Sequence, residues 1–233
     1  MIPIRDEIST KTVPVVNYLL IAANIIVFVL QFLMFSGPAE EAFVYEFALI
    51  PAQITAGLDV GDVRDVFTSM FMHAGLAHLL GNMLYLWIFG DNVEDSMGKL
   101  KYFSFYLAGG IVASAAHILT NPTSQIPTVG ASGAIAAVLG AYLVLYPQSR
   151  VLTIIPLGYF IRMTWIPAII VLGLWFILQL FSGLFSLGGP DVGGVAFWAH
   201  AGGFVAGVVL ARLFASKRRP EYAVRWDRRG DPR

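Results

Sequence analysis

The sequence contains no cysteine, and this absence excludes several kinds of function. A thiol nucleophile, a disulfide framework and a thiolate metal site each need a cysteine side chain. The sequence is also poor in charge, since 13% of its 233 residues are charged, against about 25% in a soluble domain. Its 15 basic and 15 acidic residues balance, so no net positive charge favours binding to nucleic acid.

Apolar residues, in contrast, make up 57% of the sequence. They are grouped in runs of about 20 residues, the length that a helix needs to cross a hydrocarbon core of about 30 Å. Six runs predict six transmembrane helices, at 15–35, 66–90, 102–119, 132–146, 164–185 and 195–215. We therefore expect an all-α membrane protein with a cytoplasmic N-terminal segment (1–14), a six-helix domain (15–215) and a basic cytoplasmic tail (216–233).

The basic residues predict the orientation of these helices, because Lys and Arg are enriched in cytoplasmic loops. With the N-terminus inside, Arg64 is the only one of the 15 basic residues that falls outside. The first external loop is acidic instead. Both termini are therefore expected in the cytoplasm. The basic cluster at 217–219 would lie against the membrane, either as a simple anchor or as a contact with anionic lipid.

No Asp or Glu lies deep in a predicted span. This excludes an aspartyl protease, which needs two carboxylates that share a proton. A zinc protease is excluded by the absence of a His-Glu-x-x-His sequence, and no cofactor is expected. Polar groups inside a bilayer are costly and therefore mark candidate sites. The deep polar residues are Asn17, Asn24, Gln31, His73, His78, Asn82, His117, Ser132 and His200.

Ser132 lies in the sequence Gly130-Ala131-Ser132-Gly133, at the start of the fourth predicted helix. A serine here could be only a helix N-cap between packing glycines. Its depth favours a function, because 15 residues span about 22 Å, roughly 8 Å less than the hydrocarbon core. The preceding loop, 121–129, is therefore expected to re-enter the membrane, which requires burial in protein or a wet cavity.

His200 is expected at a similar depth, about 25 Å above Lys217 on the sixth helix. Gly203 and Gly207 follow it on one helical face, and small residues let membrane helices approach closely. Ser132 and His200 could then form a hydrogen bond and act as a base-activated nucleophile. The alternative is a histidine that only packs between helices.

His78 and Asn82 are four residues apart on the second helix and share a face. Both side chains can donate hydrogen bonds, so beside a nucleophile they are candidate oxyanion donors. The alternative is that they join two helices. His73 and His117 are interpreted as structural.

Three motifs in this order resemble those of the rhomboid family of intramembrane serine proteases, over residues 64 to 212. They are His73-Ala-Gly-Leu-Ala-His78-Leu-Leu-Gly-Asn82-Met, Gly130-Ala-Ser132-Gly133 and Ala199-His200-Ala-Gly202-Gly203. The resemblance implies a six-transmembrane-helix rhomboid bundle with a short fourth helix and a re-entrant loop before it.

The resemblance also implies a role for each site residue. Ser132 and His200 would form a catalytic dyad without an acidic third member, and His78, Asn82 and the Ser132 backbone N–H would bind the oxyanion. Structural support would come from Gly130, Gly133, Gly203, Arg64 and Glu94.

Two positions depart from the family pattern. Val63 stands where the family often has Trp beside the arginine, and Ala136 stands where some members place an aromatic ring against the catalytic histidine. His200 is therefore expected to be held by helix packing alone.

By this resemblance the protein is an endopeptidase that cleaves transmembrane helices of other membrane proteins near the outer surface, in a plasma membrane that is expected to be prokaryotic. Its partners would be those substrates and membrane lipids. The loop at 186–194 would act as a lid, and the fifth helix, with Trp175 and Phe176, would move aside for the substrate. The alternatives are a non-catalytic rhomboid-like protein that binds or escorts membrane proteins, and a small-solute channel or transporter.

Overall fold

The computed structural model describes residues 1–158, 160–186, 195–216 and the backbone of 221–222. These residues are mostly helical. The α-helices are α1 (Val15–Met34), α2 (Pro38–Phe47), α3 (Pro51–Ala56), α4 (Val60–Thr68), α5 (Leu76–Met97), α6 (Lys99–Thr120), α7 (Ser132–Leu145), α8 (Ala168–Ser186) and α9 (Phe197–Phe214). In this part of the chain, α1, α6, α8 and α9 are long and apolar enough to cross a membrane, as expected of a multi-pass membrane protein.

Two predicted spans differ from the helices in the structure. The run at 66–90 is divided, because α4 ends at Thr68, a 3₁₀ turn follows at Ser69–Phe71, and α5 begins only after the extended Gly75. The run at 164–185 begins as a strand, and α8 starts after Pro167, since a proline disfavours helical geometry in the residue before it. The count of six spans stays a prediction.

The expectation of an all-α protein is wrong in one respect, because the described residues also form β-strands. β1 (Ile2–Asp6) pairs with β3 (Arg150–Leu157), which pairs with β4 (Phe160–Pro167), and both pairings are antiparallel. A second, two-residue pairing joins β2 (Ile8–Ser9) to β5 (Glu221–Tyr222). The β3–β4 hairpin is rich in β-branched residues, which favour strands, and Gly158 in its turn has a φ of 62°.

Helix α7 forms the centre of the helical core, and every residue from Gly133 to Tyr142 is buried. It packs mainly against α9, and also against α5 and α6. The contact with α9 is formed by small residues, because a Cβ on Gly203 would collide with the Gly133 carbonyl and one on Gly207 would collide with the Ala137 carbonyl. The two helices therefore approach backbone to backbone at this contact, as the spacing of small residues predicted.

Glu94, near the end of α5, caps the start of α1. Its buried carboxylate accepts hydrogen bonds from the backbone N–H of Val16 at 3.1 Å and of Asn17 at 2.7 Å. The N-cap residue Pro14 provides no side-chain cap. Glu94 thus satisfies backbone donors that a helix start leaves free and places negative charge at the positive end of the helix dipole.

Asp6 joins the N-terminal segment to the inner ends of α5 and α7. Its Oδ2 accepts hydrogen bonds from the Tyr142 hydroxyl at 2.5 Å and from the Asn92 amide at 2.8 Å. Burial, helped by the charge of Asp91, raises the pKa of the Asp6 carboxyl from 3.8 to about 8, although the bond from Tyr142 opposes the change.

Replacing Asp6 by Asn is expected to flatten the pH dependence of stability. The folded protein keeps a proton on Asp6 that the unfolded chain releases above its lower pKa. The parent therefore loses the contribution of Asp6 to stability as the pH rises from about 4 to about 8, and the variant, which lacks this carboxyl, loses less stability over the same range. At pH 8.5 the variant should be more stable by on the order of 1 kcal/mol or more, since one pKa unit corresponds to about 1.4 kcal/mol. Thermal unfolding at pH 5 and pH 8.5 measures this, and equal pH slopes for both proteins would contradict it.

Candidate active site

Ser132 is the first residue of α7, one position after the N-cap residue Ala131. It is therefore not an N-cap serine, and its hydroxyl contacts a different helix. At the start of a helix the backbone N–H groups have no intrahelical partner, and the helix dipole is positive. The Ser132 N–H and its neighbours thus form an electropositive environment beside the hydroxyl.

His200, on α9, lies opposite Ser132. Its Nε2 is 2.7 Å from Oγ of Ser132, within hydrogen-bond distance. His200 is 8% exposed, so it lies inside the helical core. One turn along α9, Gly203 contacts the backbone of Gly133, and this close approach of the helices allows the short contact between the two side chains.

Gly130 lies against the side chains of both His78 and Ser132. A β-carbon on Gly130 would lie 2.8 Å from Nε2 of His78 and 3.6 Å from Oγ of Ser132. Both atoms therefore face the space beside this residue. Gly130 also has a φ of 133°, a conformation that L side chains rarely adopt. Glycine is required here both by the backbone conformation and by the imidazole against it.

Asn82 lies one turn after His78 on α5 and is buried. Its Nδ2 has no hydrogen-bond partner among the described residues. An unpaired buried donor is costly in a folded protein and calls for an explanation. A donor that is left free one turn from His78 on α5 is available to an oxygen of a bound substrate.

His73 is fully buried, and its ring meets that of His78 edge to face at 5.0 Å. Its ring therefore lies beside His78, one of the candidate oxyanion donors.

The loop before Ser132 is fixed by hydrogen bonds to neighbouring segments. The Gly130 N–H donates to the Ser69 carbonyl at 2.8 Å, and the Thr128 N–H donates to the Leu49 carbonyl at 2.8 Å. The Thr128 hydroxyl lies 3.0 Å from Nε2 of His117. These contacts position the residues that lead into α7 and agree with a structural role for His117.

Helix α8 contributes two contacts to His200 that the sequence did not reveal. Oε1 of Gln179 lies 2.8 Å from Nδ1 of His200, and the Trp175 ring lies 5.9 Å from the imidazole, tilted by 35°. The expectation that packing alone holds His200 is therefore wrong. A signal was present, because Gln179 is an amide in the middle of a strongly apolar helix.

Two predicted support residues lie elsewhere. Arg64 on α4 donates to Oε1 of Glu46 at 3.0 Å and to the Glu46 carbonyl at 2.5 Å, and thereby joins α4 to α2. Glu94 caps α1 at the end of α5. Of the predicted lid at 186–194, all but Ser186 lies outside the described residues. Within the described ranges, no three His, Asp or Glu side chains are grouped as a metal site would need.

Comparison with known proteins gives a consistent family assignment. A family model described as "Rhomboid domain" matches residues 60–217. The chain is 31% identical to "Rhomboid protease GluP" of Bacillus subtilis (strain 168) over 198 residues, which cover 85% of this chain and 34% of that protein. It is 30% identical to "RHOMBOID-like protein 5" of Arabidopsis thaliana over 165 residues, covering 71% of this chain and 48% of that protein. The chain thus spans less than half the length of either relative.

Proposed function

Since this chain belongs to the rhomboid family, we propose that it is an intramembrane serine endopeptidase that cleaves transmembrane helices of other membrane proteins near the outer surface. The observation that carries the proposal is the 2.7 Å separation between Oγ of Ser132 and Nε2 of His200. A serine and a histidine on different helices, in hydrogen-bond contact within a buried layer, are the pair that nucleophilic acyl transfer needs.

In the proposed reaction, Nε2 of His200 takes the proton of the Ser132 hydroxyl while Oγ attacks the carbonyl carbon of the scissile peptide. The oxyanion of the tetrahedral intermediate accepts hydrogen bonds from the Ser132 N–H, His78 and Asn82. His200 then donates its proton to the leaving amine as the C–N bond breaks. Water attacks the acyl-enzyme with His200 again as base, and this step releases the new carboxylate and restores Ser132.

The proposed architecture is a six-transmembrane-helix bundle in which α7 is short and the loop before it re-enters the membrane. Three features support it: α7 has 14 residues, it begins at Ser132, and the distribution of basic residues favours cytoplasmic termini. Residues 1–14 and 216–233 would then flank a protease domain at 15–215, in a prokaryotic plasma membrane. Lipids and substrate helices would be its partners.

A non-catalytic rhomboid-like protein that binds membrane proteins is the alternative. The contact between Ser132 and His200 and the unpaired amide of Asn82 favour the enzyme, since a protein that only binds needs neither a paired base nor a free donor at that place.

The test uses the full chain reconstituted in lipid, a single-span model substrate and a fluorophosphonate probe that modifies activated serines. We expect substrate cleavage and probe attachment at Ser132, located by mass spectrometry, and the loss of both in Ser132→Ala and His200→Ala. Ser149→Ala is the matched control, because Ser149 is a buried serine four residues beyond the other end of α7. Cleavage that survives Ser132→Ala would show that the nucleophile is wrong, and a parent that neither cleaves nor reacts with the probe would favour the non-catalytic alternative.

A further inference from the structure

Two polar contacts hold the imidazole of His200, one on each ring nitrogen. Nε2 lies 2.7 Å from Oγ of Ser132, and Nδ1 lies 2.8 Å from Oε1 of Gln179. The first contact belongs to the proposed dyad. The second comes from a helix, α8, that contributes no group to the proposed reaction.

The role of Nε2 in the contact with Ser132 determines which atom donates in the contact between Nδ1 and Gln179. A neutral imidazole carries one N–H and one free acceptor nitrogen. Nε2 must be the acceptor if it is to take the proton of Ser132, so the N–H must be on Nδ1. That N–H then donates to Oε1 of Gln179. An acceptor at this place favours the tautomer in which His200 acts as a base and sets the rotation of its ring.

The neighbouring residue on α8 supports the same orientation. Trp175 lies four residues before Gln179, so both project from one face of the helix. Its ring lies 5.9 Å from the imidazole and 6.1 Å from the Phe204 ring on α9. The Trp175 ring thus restricts movement of the imidazole on one side, while Gln179 forms a hydrogen bond with its Nδ1.

We propose that Gln179 is a positioning residue that accepts a hydrogen bond from Nδ1–H of His200 and holds the base in its reactive tautomer. This deepens the proposed function and rests on it for the catalytic consequence, whereas the tautomer itself is a property of the resting protein. The uncharged amide takes the orienting place that a carboxylate occupies in a serine protease triad.

The test compares three substitutions in the full chain. Gln179→Met keeps the length of the side chain and removes the acceptor, Gln179→Ala removes both, and Gln179→Glu keeps an acceptor. Ile177→Met is the control, because Ile177 is an exposed residue of the same helix. Each protein is labelled with ¹⁵N-histidine and its ring tautomers are observed by NMR. The sequence has 4 histidines, and the signals of His200 are those missing from His200→Gln.

We expect the Nδ1–H tautomer in the parent and in Ile177→Met, and a mixture of tautomers in Gln179→Met and Gln179→Ala. In these two variants kcat should fall by roughly 10- to 100-fold, the loss typical when the hydrogen-bond partner that orients a metal-binding histidine is removed, with KM nearly unchanged. Gln179→Glu should restore both the tautomer and most of kcat. A merely structural role would not produce this pattern.

Retention of the Nδ1–H tautomer in both Gln179→Met and Gln179→Ala would overturn the proposal, as would a loss of activity that appears in KM alone. If no protein cleaves substrate, the proposed function fails, but the tautomer comparison still decides whether Gln179 holds His200. The two failures are therefore distinguishable.

Discussion

Replacing Gly203 by alanine is expected to destabilise the protein and to remove most of its proteolytic activity. A β-carbon at this position would collide with the Gly133 carbonyl and would lie 3.3 Å from the Ala113 side chain. The obstacle is largely backbone of α7, so α7 and α9 must separate. Overpacking of this kind costs about 1–3 kcal/mol. Because Gly133 directly follows Ser132, the same separation would lengthen the contact between Ser132 and His200.

The matched control is Gly173→Ala on α8, where a β-carbon would meet nothing within 4 Å. This variant should unfold at or slightly above the parent temperature, because alanine stabilises a helix interior relative to glycine by roughly 1 kcal/mol. Thermal unfolding in detergent and cleavage of a model substrate measure both effects. If Gly203→Ala behaves like the control, the backbone contact between the helices does not govern stability or activity.

Replacing Asn82 by alanine is expected to lower kcat by about 10²- to 10³-fold, the loss observed when one oxyanion donor is removed. KM should change little, since the negative oxygen exists only in the transition state and the intermediate. The stability of the folded protein should fall less than for most buried polar substitutions, because the parent Nδ2 has no described partner to lose. A lower kcat with nearly unchanged stability is thus the signature of a donor reserved for the reaction.

Asn24→Ala provides the comparison for Asn82. Asn24 is also a buried asparagine, but it lies on α1 and its amide donates to the Leu20 carbonyl at 2.8 Å. Its replacement should lower thermal stability and leave kcat close to that of the parent. A kcat for Asn82→Ala within about threefold of the parent value would exclude Asn82 from the oxyanion site.

Some residues of the candidate site could be predicted from the sequence. Deep polar residues are few in this chain and costly in lipid, which identified Ser132, His78, Asn82 and His200 as candidates. Gln179 belongs to the same class of residue but was overlooked. Its partner could not have been predicted in any case, because an amide on an apolar helix can face lipid, a neighbouring helix or a cavity, and only the rotation of α8 decides between them.

Ala136 illustrates the same limit. Its small side chain supplies no aromatic ring to His200, and this led to the wrong conclusion that packing alone holds the imidazole. The ring beside His200 is Trp175, from α8. The sequence of α7 shows that this helix lacks an aromatic ring at position 136. It cannot show that α8 supplies a ring to His200, because that depends on how the helices pack.

The sequence by itself determined the membrane-spanning character of the chain, the bounds of helices such as α1 and α7 to within one residue, and the order of its motifs. These follow from local rules, since a helix in lipid must be apolar and must satisfy its own backbone hydrogen bonds. Only the tertiary structure decided that β1 pairs with β3, that the run at 66–90 is divided, and that α8 supplies Gln179 to His200. Each of these depends on contacts between residues far apart in the chain. The free energy of such contacts cannot be inferred from a local sequence pattern.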